Sequence, residues 1–520
     1  MLVDSHGSRS EPLLLAHDLG TSGNKATLVT PDGRILAAAS APYETSYLRP
    51  GWAEQDPRHW WEAVVASTRA LLDSAARRRQ SRDLLADRIA AVGISGQMMG
   101  CVALDAGGGP VRPAMIHSDI RAEPQVRSLA RALGEAAFYE ITGNRLDPHY
   151  PVAKIAWLRA AEPDHYRSAR WFAQAKDFVN FRLTGALGLT DASDASLTGL
   201  YDLERREWST PILEAVGLEP ERLPAVRASS QIIGEISTEA AQATGLREGV
   251  PVVAGGGDGA CATVGAGVTA PGQAYLYLGS TAWISAVTDR RAPDPARRLF
   301  YLQDLDPRWL NVLGTVQNAG SAHTWAMEQI GVPARSSRAA HREYETTAAA
   351  VPPGSDGLLF LPYLMGERAP IWDPAARGVF HGLTLSHTRA HMLRAVLEGI
   401  AFALRSVLDV IEEAEVRVET VVAIGGGVRS PLWRQILADV FERPLLIPDQ
   451  LENATAMGAA AAAAVGVGLR SSYAECARWV PIAQTVEPAP GRAAVYRESY
   501  RRYQKLYPAL RETFPRIDAG

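Results

Sequence analysis

A chain of 520 residues is long enough for two or three domains, because single hydrophobic cores stop growing near roughly 250–300 residues. Its 47% apolar and 21% charged residues are those of a globular protein, and 53 basic against 57 acidic side chains, a net charge of −4, exclude the basic footprint of a nucleic-acid binder. No polybasic run flanks an amphipathic helix, which argues against a membrane surface, and the three cysteines (Cys101, Cys261, Cys476) are too dispersed for a C-x-x-C metal site or a disulfide framework and fit a reducing, cytoplasmic setting.

The N-terminal MLVDSHGSRSEP is polar and lacks the apolar stretch of a signal peptide. LLLAHDLG and KATLVT then read as a β-hairpin, and HWWEAVVASTRALLDSA as an amphipathic helix with apolar residues three and four apart. RIAAVGISGQ reads as a buried strand, and PVVAGGGDGACATVGAG as a strand, a glycine turn and a helix. The pattern then starts over. AYLYLGSTAWISAV has the form of the opening hairpin, HMLRAVLEGIAFALRSVLDVI is a long amphipathic helix, and VETVVAIGGGVRSPLWRQILADVF is strand, glycine turn, helix. On that long helix Arg394 and Glu398, four apart, are placed to pair. The run AMGAAAAAAVGVGL is too short and too rich in alanine to span a bilayer. From about residue 471 a linker is expected, then a terminal helix.

Two halves that open alike indicate a duplication with its boundary near GAGVTAPG, and the alternation of strands and helices indicates an α/β fold. The expected divisions are 11–266, 267–485 and a helical tail 486–520. In such folds ligands bind at the carboxyl ends of strands, and a cleft between the halves is the expected site.

Four glycine-rich turns follow strands. In DLGTSG, small residues allow successive backbone N–H groups to form a cradle for phosphate oxygens, with hydroxyls from Thr21 and Ser22. Asp18 beside such a cradle would repel phosphate unless a divalent cation lies between them, Mg²⁺ bridged by water being the usual arrangement. The alternative is an ordinary hairpin turn with Asp18 capping a local amide. LGST, ending in Gly279, Ser280 and Thr281, holds the matching place in the second half. AIGGGVRS would let a ring or ribose approach the backbone, with Ser430 as a donor, unless it is simply a helix start packed on its strand. AGGGDGA differs in having a carboxylate, Asp258, projected from the glycine run: a group placed to take a proton from a hydroxyl, or else a helix cap. That run also fits G-x-G-x-x-A loosely, but it lies in mid-chain with no acidic residue about 20 positions on, which argues against a dinucleotide site. The chain contains no G-K dipeptide and so no Walker-type loop, no G-x-S-x-G and no H-E-x-x-H.

Taken together, DLGTSGNKA, LGST, PYLMGERAPIWDPAARGVFHGL and IGGGVRSPLWRQILADV with ATAMGAA resemble the FGGY family of carbohydrate kinases, and GWAEQDPRHWW with GISGQMMG is similar to its xylulokinase-like branch. The resemblance runs from about residue 13 to 470 with the motifs in family order. It implies two actin-like (ribonuclease H-like) domains related by duplication on either side of a cleft, with ATP mainly on the second and the sugar on the first. It implies Thr21 and Ser22 at the first phosphate loop, Asp18 at the Mg²⁺ water, and Gly279, Ser280 and Thr281 at the second phosphate loop. Gly320 and Thr324 fall in a nucleotide-contacting segment, Gly426, Gly427 and Ser430 around the adenosine, and Asp258 at the catalytic base. The activity implied is ATP-dependent phosphorylation of a sugar hydroxyl, and a homodimer is compatible with it. The arginines of GER and ARG, Arg368 and Arg377, are expected to form structural ion pairs, with contact to phosphate as the alternative.

The expected sugar contacts are Gln97, Met98, Met99, His117 and Asp119. Here the chain departs from the xylulokinase pattern: Met99 replaces a histidine, His117-Ser118-Asp119 replaces W-N-D, and Gly259 follows the base where Asn or Gln is frequent. His117 could instead simply satisfy the core, and Asp119 has a second reading, as a partner of Arg121 or a backbone amide. Methionines offer little hydrogen bonding, which points to a less polar or deoxygenated sugar beside xylulose itself. The alternative to an enzyme is an actin-like binding protein that keeps the nucleotide and sugar sites as a sensor.

Overall fold

A computed structural model describes residues 11–76, 85–330, 338–450 and 452–514. The chain divides into two compact units. The first comprises residues 1–269, 301–310 and 453–480, the second 270–300, 311–452 and 481–520. A single cut at 266/267 therefore misses two segments that return to the first unit. The longer carries the helix Ala454–Gly466, which packs on the strands and helix of that unit.

In the first unit β1 (Leu13–Leu19), β2 (Gly23–Val29), β3 (Ile35–Pro42), β4 (Ile89–Gly96), β5 (Ile232–Glu235) and β6 (Pro251–Val253) form one sheet in the order β5-β6-β4-β1-β2-β3, and the short β7 (Gly256–Gly257) also pairs with β4. β1 is central and buried along nearly its whole length, so it reads as an unbroken apolar run; β3, at the edge, alternates in exposure. The helix α1 (Pro57–Ala76) lays Trp60, Val64, Leu71 and Leu72 into the core with Leu13, Leu15, Val92 and Ile94. Three more helices bear on the site: α2 (Pro151–Ala161), α3 (Ala175–Thr184) and the one-turn α4 (Ala192–Ser196). α5 (Asp258–Gly265) follows β7 directly.

The alanine-rich run is small for a packing reason. A Cβ on Gly458 would lie 2.1 Å from the Cys261 carbonyl oxygen, one on Gly265 1.7 Å from that of Ala454, and one on Gly93 2.3 Å from that of Ala459. The helix is pressed against α5 and β4, and larger side chains would separate them. Among the described residues no helix is long and apolar enough to cross a membrane.

The second unit repeats the plan. β8 (Gln273–Leu278) pairs antiparallel with β9 (Ala282–Thr288) and parallel with β11 (Thr420–Ile424), as β1 pairs with β2 and β4. The order continues from β10 (Leu310–Val316) through β9, β8 and β11 to β12 (Leu445–Pro448) and β13 (Ile482–Val486). β13 lies where the sequence suggests a linker. Four of its five residues are exposed, so it has no apolar signature, and its ladder to β12 (Leu445 opposite Val486) is what makes it a strand. The helices are α6 (Gly320–Gln329), α7 (Arg338–Ala349), α8 (Arg389–Glu413), α9 (Pro431–Phe441) and α10 (Pro490–Leu510). Arg394 and Glu398 pair at 2.7 Å on α8, both buried, and Tyr496 of α10 bonds to each, anchoring the terminal helix.

Candidate functional site

The sheet of the first unit brings two carboxylates to the same level. Asp18 on β1 is opposite Ser95 on β4, and Gly256 of β7 is opposite the same Ser95 from the other side, two residues before Asp258. Both acids therefore stand at the carboxyl ends of strands flanking β4. Asp18 Oδ2 accepts the Thr455 hydroxyl at 2.6 Å. Burial raises the Asp18 carboxyl pKa, against the lowering effects of that bond and of Lys25. Asp258 is pushed up to about 7, first by burial and then by the negative charge of Asp18. A carboxylate poised there is suited to general-base work near neutral pH.

Beyond Asp18 the chain turns through Gly20, whose N–H donates to Gly23 O at 3.0 Å and whose carbonyl accepts the Tyr43 hydroxyl. Thr21 and Ser22 are exposed at the tip. Behind the turn, Gln55 Nε2 donates to Thr21 O (2.7 Å) and to Thr45 Oγ1, while its Oε1 accepts Gln97 Nε2 at 2.9 Å and Trp60 Nε1 at 2.8 Å. Gln97 is thus tied through one side chain to the first turn. Gln55 lies in the GWAEQDP stretch, yet its bridging role is not readable there because its partners lie elsewhere in the sequence.

The sugar-contact expectations separate on inspection. Met98 is buried beneath the glycine turn: a Cβ on Gly257 would meet its Sδ at 2.5 Å, so it shapes the base's support. Met99 is half-buried with φ +61°, a left-handed backbone that costs a non-glycine residue on the order of 1–3 kcal/mol. Holding it is Lys154 of α2, fully buried, whose Nζ donates to Met99 O and Ile116 O, each at 2.7 Å. One lysine thereby joins the segment of Gln97–Met99 to that of His117–Asp119, and burial lowers its pKa to about 7. His117 is half-buried. Asp119 takes the second of its two readings: it is 0% exposed, its carboxylate accepts Ala53 N at 2.7 Å and pairs with Arg121, and it serves as a strut. Arg121 in turn pairs with Glu54 and lies 3.6 Å over the Trp52 ring.

In the second unit the LGST turn is seated on the start of α6. Gly320 N donates to Gly279 O at 2.8 Å, and Ala319 N and Ser321 N both donate to Ser280 O. A Cβ on Gly320 would lie 2.4 Å from Gly279 O, and one on Gly279 would strike the Tyr277 ring, so packing alone requires both glycines. Ser280 is exposed; Thr281 and Thr324 are half-buried. In the third turn Gly425 has φ +96° and Gly427 presses on Leu278. Gly426 differs: it is exposed, its φ is ordinary, and an added Cβ would meet nothing within 4 Å. Nothing in the fold requires glycine there, which suits a backbone kept bare for a bound molecule.

Ser430 is used internally. It caps α9 by accepting Trp433 N at 3.2 Å and donates to Glu345 Oε1 at 2.9 Å, which also takes Leu432 N. Its proton is therefore not directed at a ribose. No local signal marks Glu345, from α7, nor the ring stack in which His323 of α6 lies 5.5 Å from both Trp433 and His341. Arg377 bonds to the carbonyls of Pro374 and Ala376 rather than forming an ion pair. In GER it is Glu367 that is buried, taking Gln317 N and Arg368 N, with burial raising its pKa to about 8.

Among the described residues no group of three or more His, Cys, Asp or Glu is placed to hold a metal ion. A cation at the first turn would rest on Asp18 and on oxygens of a bound molecule, which matches the way Mg²⁺ is carried with nucleotide phosphates.

Residues 13–265 match the family model described as the N-terminal domain of the FGGY family of carbohydrate kinases, and residues 274–467 its C-terminal domain. The chain is 35% identical to a xylulose kinase of Escherichia coli (strain K12), over 95% of this chain and 99% of that one. It is 30% identical to a gluconokinase of Bacillus subtilis (strain 168), over 85% of each. Among solved structures it is similar to a xylulose kinase from Rhodospirillum rubrum with TM-score 0.89 and 31% identity, covering 96% of this chain and 99% of that one.

Proposed function

The chain belongs to the FGGY family of carbohydrate kinases, enzymes that phosphorylate sugars, and from that premise we propose that it moves the γ-phosphoryl group of ATP to a hydroxyl of a xylulose-like ketopentose, with Asp258 as the general base. The observation that carries this reading is the place of Asp258: first residue of a helix, at a strand end, with a carboxyl pKa of about 7. Phosphoryl transfer asks mainly for positioning and charge stabilisation, and the base orients the acceptor hydroxyl and takes its proton. Thr21 and Ser22 on the first unit, and Ser280, Thr281 and the bare backbone at Gly426 on the second, are the proposed phosphate and nucleotide contacts. Mg²⁺ carried with ATP, held through Asp18, would supply neutralisation of phosphate charge.

For the sugar, Gln97, Met99 and His117 remain the proposed contacts, since Met98 and Asp119 are spent inside the fold. The likeness to both xylulose kinases and a gluconokinase leaves the acceptor to be measured. The test is ATP consumption with Mg²⁺ against xylulose, other ketopentoses, gluconate, deoxy-sugars and polyols, run beside Asp258→Asn. Turnover with a ketopentose that is lost in the variant supports the reading. Gluconate as the sole good acceptor would replace the substrate. No turnover with any acceptor, despite ATP binding, would favour the sensor.

A further inference from the structure

The turn that delivers Asp258 has no side chains of its own: residues 255–257 are all glycine. Such a run loses more backbone freedom on ordering than any other, so its place depends on what its backbone groups bond to. Gly255 N–H donates to Ser229 O at 2.9 Å, and Ala254 O accepts Asn180 Nδ2 of α3 at 2.9 Å. Gly257 N–H, one residue from the acid, donates to Ser193 Oγ of α4 at 2.9 Å.

The Ser193 hydroxyl is itself oriented. It gives its proton to Asp191 Oδ2 at 2.6 Å, which leaves a lone pair for the Gly257 amide. Asp191 is 0% exposed, takes Ser229 Oγ on that same oxygen at 2.9 Å, and faces Lys176 Nζ of α3 at 3.2 Å with the other. Lys176, also 0% exposed, is flanked by Asp177 at 2.8 Å and Asp194 at 3.3 Å. A hydroxyl whose proton is drawn to a buried carboxylate is a stronger acceptor, because hydrogen bonds in series polarise one another at low dielectric. The stem of Lys176 adds a steric stop: a Cβ on Gly96, the residue opposite Gly257, would lie 2.6 Å from its Cβ.

We propose that Ser193, oriented by Asp191 and Lys176, is a positioning residue of the phosphoryl-transfer reaction, fixing the Gly257–Asp258 peptide and hence the direction of the Asp258 carboxylate. This rests on the reading of Asp258 as the base. It predicts a role in rate rather than in nucleotide affinity, since small misplacements of a reacting group are costly.

The test is Ser193→Ala in the full chain. The expected result is a kcat lower on the order of 10–100-fold, an ATP KM within about twofold, and an acid limb of kcat/KM displaced from its wild-type position. Ser196→Ala is the control: its hydroxyl, on the same short helix, donates to Ser193 O at 2.6 Å and receives Gln303 N at 3.1 Å without touching the glycine run, so it should cost stability and leave kcat unchanged. In an Asp258→Asn background Ser193→Ala should remove nothing more, the coupling expected of two groups acting as one. An inactive Asp258→Asn together with a Ser193→Ala enzyme of wild-type kcat and pH limb overturns the inference alone. A fully active Asp258→Asn overturns the underlying reading. Should Ser193→Ala not fold, Asp191→Asn, which keeps an oxygen for the Ser193 hydroxyl but removes the charge that draws its proton, gives a smaller shift in the same direction, and its absence overturns the proposal.

Discussion

Asp18 and Asp258 stand at the carboxyl ends of the two strands that pair with β4 from opposite sides, and the charge of the first helps burial hold the second near pH 7. The pair sets a pH dependence. A base must be deprotonated to act, so kcat/KM should rise with pH through about 7 and level off above it. Replacing Asp18 by Asn removes the like charge and should move that limb to lower pH, even though activity falls overall. A pH–rate profile of both proteins checks this, and an unmoved limb would mean the two acids do not interact.

Asp258→Asn should lower kcat by roughly 10²–10⁴-fold, the range of a lost general base. Its stability should run the other way. The folded-state pKa of about 7 lies above the unfolded value near 3.8, so the native state binds the extra proton between them and the wild type loses stability as pH rises through 7. The amide is neutral throughout. Thermal melts should therefore show the variant gaining on the wild type at pH 8, with the gap narrowing as pH falls below 7 and closing only near 3.8.

Lys154→Met should act on the sugar and spare the nucleotide. It takes the donor from the Met99 carbonyl, while Ile116 O keeps the Asp119 amide at 3.0 Å, at about 1–3 kcal/mol of stability. The left-handed Met99 is then released, and the KM for sugar should rise about tenfold, the size of effect that a single displaced pocket group produces. ATP KM should hold. Steady-state kinetics with each substrate varied separates the two.

Two glycines in the second unit should respond oppositely to alanine. Gly320→Ala drives a Cβ to 2.4 Å from Gly279 O and should destabilise by about 1–3 kcal/mol. Gly426→Ala meets nothing within 4 Å and should melt like the wild type while binding ATP more weakly. Calorimetry of nucleotide binding alongside thermal melts decides it, and an unimpaired Gly426→Ala would remove the nucleotide from that turn.

Much of the local structure is legible in the sequence because it is periodic. The hairpins at Asp18 and Gly279, the amphipathic helices and the four glycine turns all carry signals within about a dozen residues. β13 escapes such reading because an edge strand with four exposed residues looks like linker. Asp119 has the composition of a ligand, and only its packing against Ala53 and Arg121 shows it to be a strut. Ser430 is similar: a serine after a glycine turn reads as a donor to ribose until Glu345, 85 residues away, takes its proton.

By itself the sequence determined the duplicated α/β plan, the strand ends that carry Asp18 and Asp258, and the family, because strand period, turn chemistry and motif order are written along the chain. Tertiary structure alone decided who holds whom. Thr455 reaches Asp18 across 437 positions, Lys154 binds Met99 across 55, and Ser193 reaches Gly257 across 64. Such bonds depend on which buried groups folding leaves without water, and a buried donor or acceptor must find its partner wherever the chain has brought one.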